Sequence, residues 1–221
     1  MSSSGRSQWW DIPLTIIIAI AVVLLVTTFV VKPFSIPSGS MEQTLQIGDR
    51  VLVDKVTYRF RDVARGDVIV FDGTDSFVPA RDVPERDPLT GSVTWIGQSL
   101  GFIEPDNTDF IKRVIGVAGD RVVCCDDEGR VTVNGTALDE GAYLYPGDEP
   151  SFVPFDVIVP PDRLWVMGDH RSNSADSRSH LGSPGGGFVP TSRVVGRAMS
   201  VVWPIPNWTG LDAPAAFDVI R

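Results

Sequence analysis

The chain has 221 residues, 43% of them hydrophobic, which is enough for one or two domains with a substantial core. Its 28 Asp and Glu residues outnumber its 19 Lys and Arg residues, and the formal net charge is -9. Nucleic-acid binding needs clustered cations, so this charge argues against it. The two cysteines, Cys124 and Cys125, are neighbours, with no second pair for a disulfide framework or a zinc site. We interpret them as ordinary strand residues that point to opposite faces.

Residues 12–31 form an uncharged apolar run. As a helix, a run of this length would rise about 30 Å, the thickness of the hydrocarbon core of a bilayer. A cleaved signal peptide has a shorter apolar region, and a poor cleavage site follows this one. We therefore predict one retained transmembrane helix at 12–31 after a short tail at 1–11. Lys and Arg are too sparse around it to fix its orientation, but we expect the large domain on the extracytoplasmic side.

The next stretch, residues 36–45, reads IPSGSMEQTL. Turn-forming residues hold two serine hydroxyls on a bent backbone, followed by a methionine. Composition alone favours a linker between the helix and the domain. The rest of the chain has to decide between a linker and a nucleophile.

The remainder consists of short β-branched runs separated by turn signals, which predicts an all-β domain. Residues 51–58 and 68–71 are strand candidates, as is the segment 109–120 around residues 110–115, and Asn134-Gly135 is a hairpin turn. Residues 72–108 have few periodic apolar positions and are predicted to be a long loop or hairpin insertion.

Lys112 is the candidate partner for a serine nucleophile. On a strand it shares a face with Phe110 and Val114, an apolar setting that would lower the pKa of its amine. A serine hydroxyl needs a base, and lysine can act as one only when neutral. The alternative is an edge lysine whose amine reaches water.

Two rival chemistries involve the polar loop that follows residue 167. Asp169 and His170 could belong to a Ser-His-Asp triad, but adjacent residues rarely present their side chains to each other in that way. Together with Asp176 and His180 they could bind a metal, but nothing fixes the ligand spacing. We disfavour both.

Four blocks of sequence, in this order behind the apolar run, resemble the type I (bacterial leader) signal peptidases, which are membrane-anchored Ser/Lys endopeptidases. The blocks are IPSGSMEQTLQIGDR at 36–50, RGDVIVF at 65–71, DFIKRVIGVAGD at 109–120, and MGDHRSNSADSR at 167–178 with GFVP at 187–190. One block alone would be weak, but four in order are specific.

The resemblance implies a role for each matching residue. Ser40 matches the nucleophile and Lys112 the general base. Ser38 matches the hydroxyl that joins the Ser40 N–H in the oxyanion hole, and Ser174 matches the serine that orients the lysine. Asp176 and Arg178 match a supporting charged pair. The residues implied to line shallow pockets for small substrate side chains are Phe34, Ile36, Met41, Leu45, Phe110 and Ile111.

The chain departs from the family pattern at several points outside these catalytic positions. Gln43 stands where many members have proline, and His170 and Ser172 stand where asparagine and aspartate are common. Residues 179–187 are interposed where many members have only a few residues. We expect altered hydrogen bonds in the polar loop rather than a loss of activity.

The resemblance implies an all-β catalytic domain of antiparallel sheets with a smaller inserted β domain, preceded by one N-terminal transmembrane α-helix. The predicted bounds are 32–206 for the extracytoplasmic domain, with a core at about 34–116 and 161–206, a smaller inserted β region at about 117–160, and a C-terminal tail at 207–221.

We therefore predict a membrane-anchored serine endopeptidase that removes signal peptides from exported preproteins. The expected partners are signal peptides with small residues before the cleaved bond, and the lipid bilayer. We expect a monomer that binds no nucleic acid and needs no cofactor or metal. Two alternatives remain open: an anchored, non-enzymatic β domain that binds secretory partners, and a Ser/Lys self-cleaving protease.

Overall fold

The structure, a computed structural model, describes residues 8–78, 108–183 and 185–220. Most of the predicted insertion at 72–108 therefore lies outside the described residues. Helix α1 runs from Gln8 to Phe29, and most of its described apolar side chains are exposed. It begins four residues before the predicted span of 12–31. It ends two residues before the end of that span, because Val31 already pairs with Asp54 in a sheet. Within the part of the chain that the structure describes, no helix combines the length and apolarity that crossing a membrane requires.

The larger sheet of the described residues has eight strands, all paired antiparallel, in the order β1-β2-β11-β3-β4-β9-β10 with β12 beside β11. The strands are β1 (Val31–Ser35), β2 (Arg50–Asp54), β3 (Val68–Asp72), β4 (Asp109–Gly116), β9 (Arg163–Met167), β10 (Val189–Pro190), β11 (Val194–Trp203) and β12 (Thr209–Gly210).

The smaller sheet contains β5 (Arg121–Cys124), β6 (Val131–Val133), β7 (Thr136–Ala137) and β8 (Phe155–Ile158), in the order β7-β6-β5-β8. The predicted hairpin turn joins β6 to β7, with φ of 53° at Asn134 and 79° at Gly135. Both values lie in the left-handed region that this turn type requires.

The core is divided into three apolar clusters, one between the two sheets and two on the larger sheet. The described part of the predicted C-terminal tail, residues 207–220, packs against the domain. Leu211, Phe217 and Ile220 are buried in these clusters, and β12 pairs with β11. Apolar side chains spaced along the segment, too sparse to give a periodic signal, account for this packing.

The interpretation of the cysteines as ordinary strand residues is wrong. Cys124 and Cys125 are joined by a disulfide. The argument from alternating strand faces required both residues to lie within a strand, but β5 ends at Cys124. Cys124 is buried and Cys125 is exposed.

Candidate active site

Ser40 lies in a single 3₁₀ turn, Gly39–Met41, between β1 and β2. Met41 and Leu45 have no exposed surface and anchor the turn in the core. The Leu45 N–H also donates to the Met41 carbonyl at 2.8 Å. Ser40 itself is only 7% exposed. The apolar residues that follow the serine therefore fix the backbone that carries its hydroxyl.

Lys112 is brought to this serine by β4, which lies between β3 and β9 in the larger sheet. Its side chain is 3% exposed, and its Nζ lies 2.6 Å from Ser40 Oγ and 2.9 Å from the Ile111 carbonyl oxygen. The two residues are 72 positions apart in sequence. The edge-lysine alternative, in which the amine reaches water, does not describe this residue.

Burial lowers the pKa of Lys112 from 10.5 to about 8, although the carboxylates of Asp176 and Asp169 partly oppose this effect. Burial acts against the ammonium form, because a charge loses the solvation that water provides. At pH 8 about half of the lysine would be neutral, whereas an unperturbed lysine would be almost wholly protonated. This position can therefore supply a base near neutral pH.

A buried ion pair adjoins Lys112 along the strand. Arg113 donates two hydrogen bonds to the Asp169 carboxylate, from Nε at 2.8 Å and from Nη2 at 2.7 Å. The Thr44 hydroxyl donates to the same carboxylate at 2.5 Å, and so joins the nucleophile turn to the polar loop after β9. We did not predict this network. The sequence does show a second cation, Arg113, directly after Lys112. Its carboxylate partner, Asp169, is 56 residues away, so no local pattern pairs the two.

The predicted pair of Asp176 and Arg178 is formed. Arg178 donates to Asp176 from Nη2 at 2.7 Å and from Nε at 2.8 Å, and the Gly168 N–H donates to the same carboxylate at 3.0 Å. Burial raises the pKa of Asp176, but the hydrogen bonds and charge of Arg178, together with the Gly168 N–H and the Ser174 hydroxyl, outweigh it and the net shift is downward. The pair thus keeps a carboxylate charged within the interior beside the site.

Ser174 does not make the predicted hydrogen bond to Lys112. Its Oγ is buried without a protein partner in good geometry among the described residues, although it lies close enough to Asp176 to contribute to the lowered pKa of that carboxylate. The site is nevertheless tightly packed at this point. A Cβ at Gly168 would lie less than 3.0 Å from both Ser174 Oγ and the Ser40 carbonyl oxygen.

Ser38 precedes the turn in extended conformation, with φ of -133° and ψ of 157°. Its side chain is exposed and makes no capping hydrogen bond to the turn. The residue therefore stands next to Gly39 and Ser40 with a hydroxyl that the turn itself does not use.

The six residues that we expected to line substrate pockets fall into two groups. Phe110 packs against the cluster that contains Phe71 and Phe77, whereas the others belong to or pack against the cluster under the Ser40 turn. Met41 and Leu45 have no exposed surface. These two therefore support the turn from within the core, and a substrate could not reach them without displacing other side chains. The remaining members of the second group are Phe34, Ile36 and Ile111.

The rival chemistries find no support in the geometry. The His170 ring bonds to the Gly39 carbonyl and the Glu42 carboxylate, and His180 bonds to the Asp176 carbonyl. No group of three or more His, Cys, Asp or Glu side chains within residues 8–78, 108–183 and 185–220 is arranged to hold a metal ion.

Comparison with known proteins bears directly on this site. The family described as "Signal peptidase, peptidase S26" matches residues 9–203. A probable signal peptidase I of Mycobacterium leprae is 42% identical, over 94% of this chain and 81% of its own. A signal peptidase I of Mycobacterium tuberculosis is 41% identical, over 92% and 75%, and a probable signal peptidase I-2 of Synechocystis is 35% identical, over 93% and 78%. The predicted resemblance is confirmed, and the chain belongs to the signal peptidase family, peptidase S26.

Proposed function

We propose that this chain removes N-terminal signal peptides from exported preproteins, with Ser40 as the nucleophile and Lys112 as the general base. The relatives named signal peptidase I support the reaction. The observation that carries the two roles is the buried contact of 2.6 Å between Lys112 Nζ and Ser40 Oγ. A neutral amine at this distance can accept the hydroxyl proton directly.

In the acylation step, Ser40 Oγ attacks the carbonyl carbon of the scissile bond while Lys112 Nζ takes the serine proton. The negative charge that develops on the carbonyl oxygen needs donors that are already in place, and the Ser40 N–H and the Ser38 hydroxyl are the proposed ones. As the carbon–nitrogen bond breaks, Lys112 gives its proton to the leaving amine. The mature protein departs, and the signal peptide remains as an ester on Ser40.

In the deacylation step, Lys112 is neutral again and takes a proton from a water molecule. The resulting hydroxide attacks the ester carbonyl and passes through the same oxyanion position. Lys112 then returns the proton to Ser40 Oγ, and the signal peptide leaves with a free carboxylate. The steps use only these side chains, the backbone donor and water.

The proposed substrates carry small residues at the first and third positions before the cleaved bond. Support comes from the closed apolar cluster beneath the Ser40 turn, where Phe34 is 5% and Ile36 is 2% exposed. Large side chains that are already packed together leave little depth for a substrate side chain. We propose a monomer as the working unit.

We further propose that α1 holds the enzyme at a lipid bilayer, with the β domain on the extracytoplasmic side. Support comes from large apolar side chains left exposed on this helix, with Ile12 at 62%, Ile17 at 63% and Leu25 at 59%. Exposed apolar surface of this extent marks a site of contact with a membrane or another protein. Flotation of the full chain with lipid vesicles tests the proposal, and a variant with Ile16→Asp and Ile20→Asp should stay at the bottom of the gradient.

The catalytic proposal is tested with a purified preprotein and the detergent-solubilised full chain. Ser40→Ala and Lys112→Ala should each abolish processing while the thermal unfolding transition remains. The matched controls are Ser76→Ala, another buried serine, and Lys55→Ala, a lysine that is only partly buried. Undiminished cleavage by either of the first two variants would refute the assignment.

A further inference from the structure

The His170 ring packs against the turn that carries Ser40. Its Nδ1 lies 2.8 Å from Glu42 Oε2 and 3.2 Å from the Gly39 carbonyl oxygen. Its backbone N–H donates to the Ser40 carbonyl at 3.2 Å. The ring is stacked on Tyr145, with centroids 3.8 Å apart and planes 11° from parallel. His170 therefore contacts both the Gly39 carbonyl, which precedes the Ser40 N–H, and the carbonyl of Ser40 itself.

These contacts fix which nitrogen of the ring carries a proton. A carbonyl oxygen and a carboxylate oxygen can only accept hydrogen bonds, so Nδ1 must be the donor to both. The Glu42 carboxylate favours this arrangement because a charged acceptor strengthens the bond to Nδ1–H. Stacking on Tyr145 fixes the orientation of the ring plane. The Glu42 carboxylate keeps the hydrogen on Nδ1, the nitrogen that faces the Gly39 carbonyl.

The Gly39 carbonyl accepts two hydrogen bonds, one from the Glu42 backbone N–H at 3.0 Å and one from His170 Nδ1 at 3.2 Å, and together they determine where the Ser40 N–H points. The Gly39 carbonyl and the Ser40 N–H belong to one planar trans peptide unit, in which the two groups point in opposite directions. His170 adds a side-chain bond to the turn's own bond from the Glu42 N–H, and with the carbonyl held on that side the Ser40 N–H must face the other side. An oxyanion donor is effective only if it is oriented before the charge develops.

We propose that His170 is a positioning residue that orients the Ser40 N–H for the oxyanion, with Glu42 keeping its Nδ1 hydrogen in place. This inference rests on the proposed role of Ser40 as the nucleophile. His170 touches no reacting atom, and it acts through the Gly39–Ser40 peptide plane.

Two substitutions separate positioning from packing, because both remove the ring from Tyr145. His170→Asn keeps an N–H donor at the distance of Nδ1 from the backbone, whereas His170→Gln moves the donor one bond further out. We expect the Asn variant to retain kcat within about threefold and the Gln variant to lose at least about tenfold. Outright loss of an oxyanion donor costs about 10²–10³ in kcat, which is the upper bound. KM should change less than kcat in both variants.

A second readout does not depend on activity. Labelling glycine with ¹³C at the carbonyl and serine with ¹⁵N selects the amide signals of the three Gly-Ser pairs in the sequence, at 39–40, 91–92 and 182–183. The Ser40 signal should move in the Gln variant and stay near its wild-type position in the Asn variant, while the other two signals serve as internal controls.

Equal kcat values for the two variants, a loss confined to KM, or an unmoved Ser40 signal in the Gln variant would each overturn the inference. Failure of the proposed function has a different signature. The wild-type chain would then cleave no preprotein, while the Ser40 signal would still separate the Asn and Gln variants.

Discussion

Replacing Lys112 by methionine should stabilise the protein at neutral pH while abolishing its activity. The folded protein holds this amine at a pKa of about 8, against 10.5 for a solvated lysine. Each unit of this difference corresponds to about 1.4 kcal/mol, so burial of the lysine costs the folded state about 3 kcal/mol when both states are protonated. Methionine has a similar length and carries no charge, so the variant avoids that cost.

The stability difference between wild type and Lys112→Met should change with pH in one direction. Between pH 8 and 10.5 the unfolded chain binds a proton at Lys112 that the folded chain does not, so wild-type stability rises with pH. The advantage of Lys112→Met should therefore be complete below pH 8, shrink through this window and vanish above it. The hydrogen bonds from Nζ to Ser40 and Ile111 are lost in the variant, and they add an offset to the comparison. The pH-dependent part is thus the quantity to test.

The assay is urea unfolding of both proteins at pH 7, 8, 9 and 10.5, with the difference in unfolding free energy plotted against pH. Other titrating groups are common to both proteins and cancel. Lys55→Met is the matched control. Burial, Lys32 and Arg59 also lower the pKa of this lysine, but it is only partly buried, so its replacement should give a flatter curve than that of Lys112→Met. A difference between wild type and Lys112→Met that does not change with pH would refute the claim that burial holds this lysine neutral.

Two further predictions concern backbone positions around the site. Gly168→Ala should lower kcat/KM at least about tenfold, because the new methyl group would collide with Ser174 Oγ and the Ser40 carbonyl. The control is Gly182→Ala, whose methyl group would meet nothing within 4 Å. Both variants are measured by steady-state kinetics and by a thermal melt. Gln43 has φ of 87°, a conformation that glycine adopts freely and proline cannot. We expect Gln43→Gly to be neutral or stabilising and Gln43→Pro to lose more than about 1 kcal/mol in urea unfolding, and a stable Pro variant would contradict the observed turn.

The sequence was sufficient for the features that depend on local pattern. Alternation along one strand placed Lys112 among apolar neighbours, and the turn residues before Met41 placed a serine on a bent backbone. The Asn134-Gly135 hairpin follows from the same kind of signal. The all-β architecture also follows, because short β-branched runs between turns have few other ways to bury one face.

The features that the sequence did not predict depend on contacts across long separations. Glu42 and His170 are 128 positions apart, and Arg113 and Asp169 are 56 apart. No local rule pairs such residues, since either could have been a solvated surface charge. The burial of the segment after residue 206 belongs to the same class, because it depends on where the chain passes over the sheet.

The central claim is that a neutral Lys112 activates Ser40, and the pH profile of kcat/KM tests it most directly. Preprotein cleavage by the full chain in detergent should be followed from pH 6 to pH 10. Because burial holds the pKa of Lys112 at about 8, we predict a tenfold rise per pH unit below about pH 8 and a plateau above it. A profile that is flat across this range, or that reaches its plateau near the ordinary pKa of histidine at about 6.5, would contradict the account.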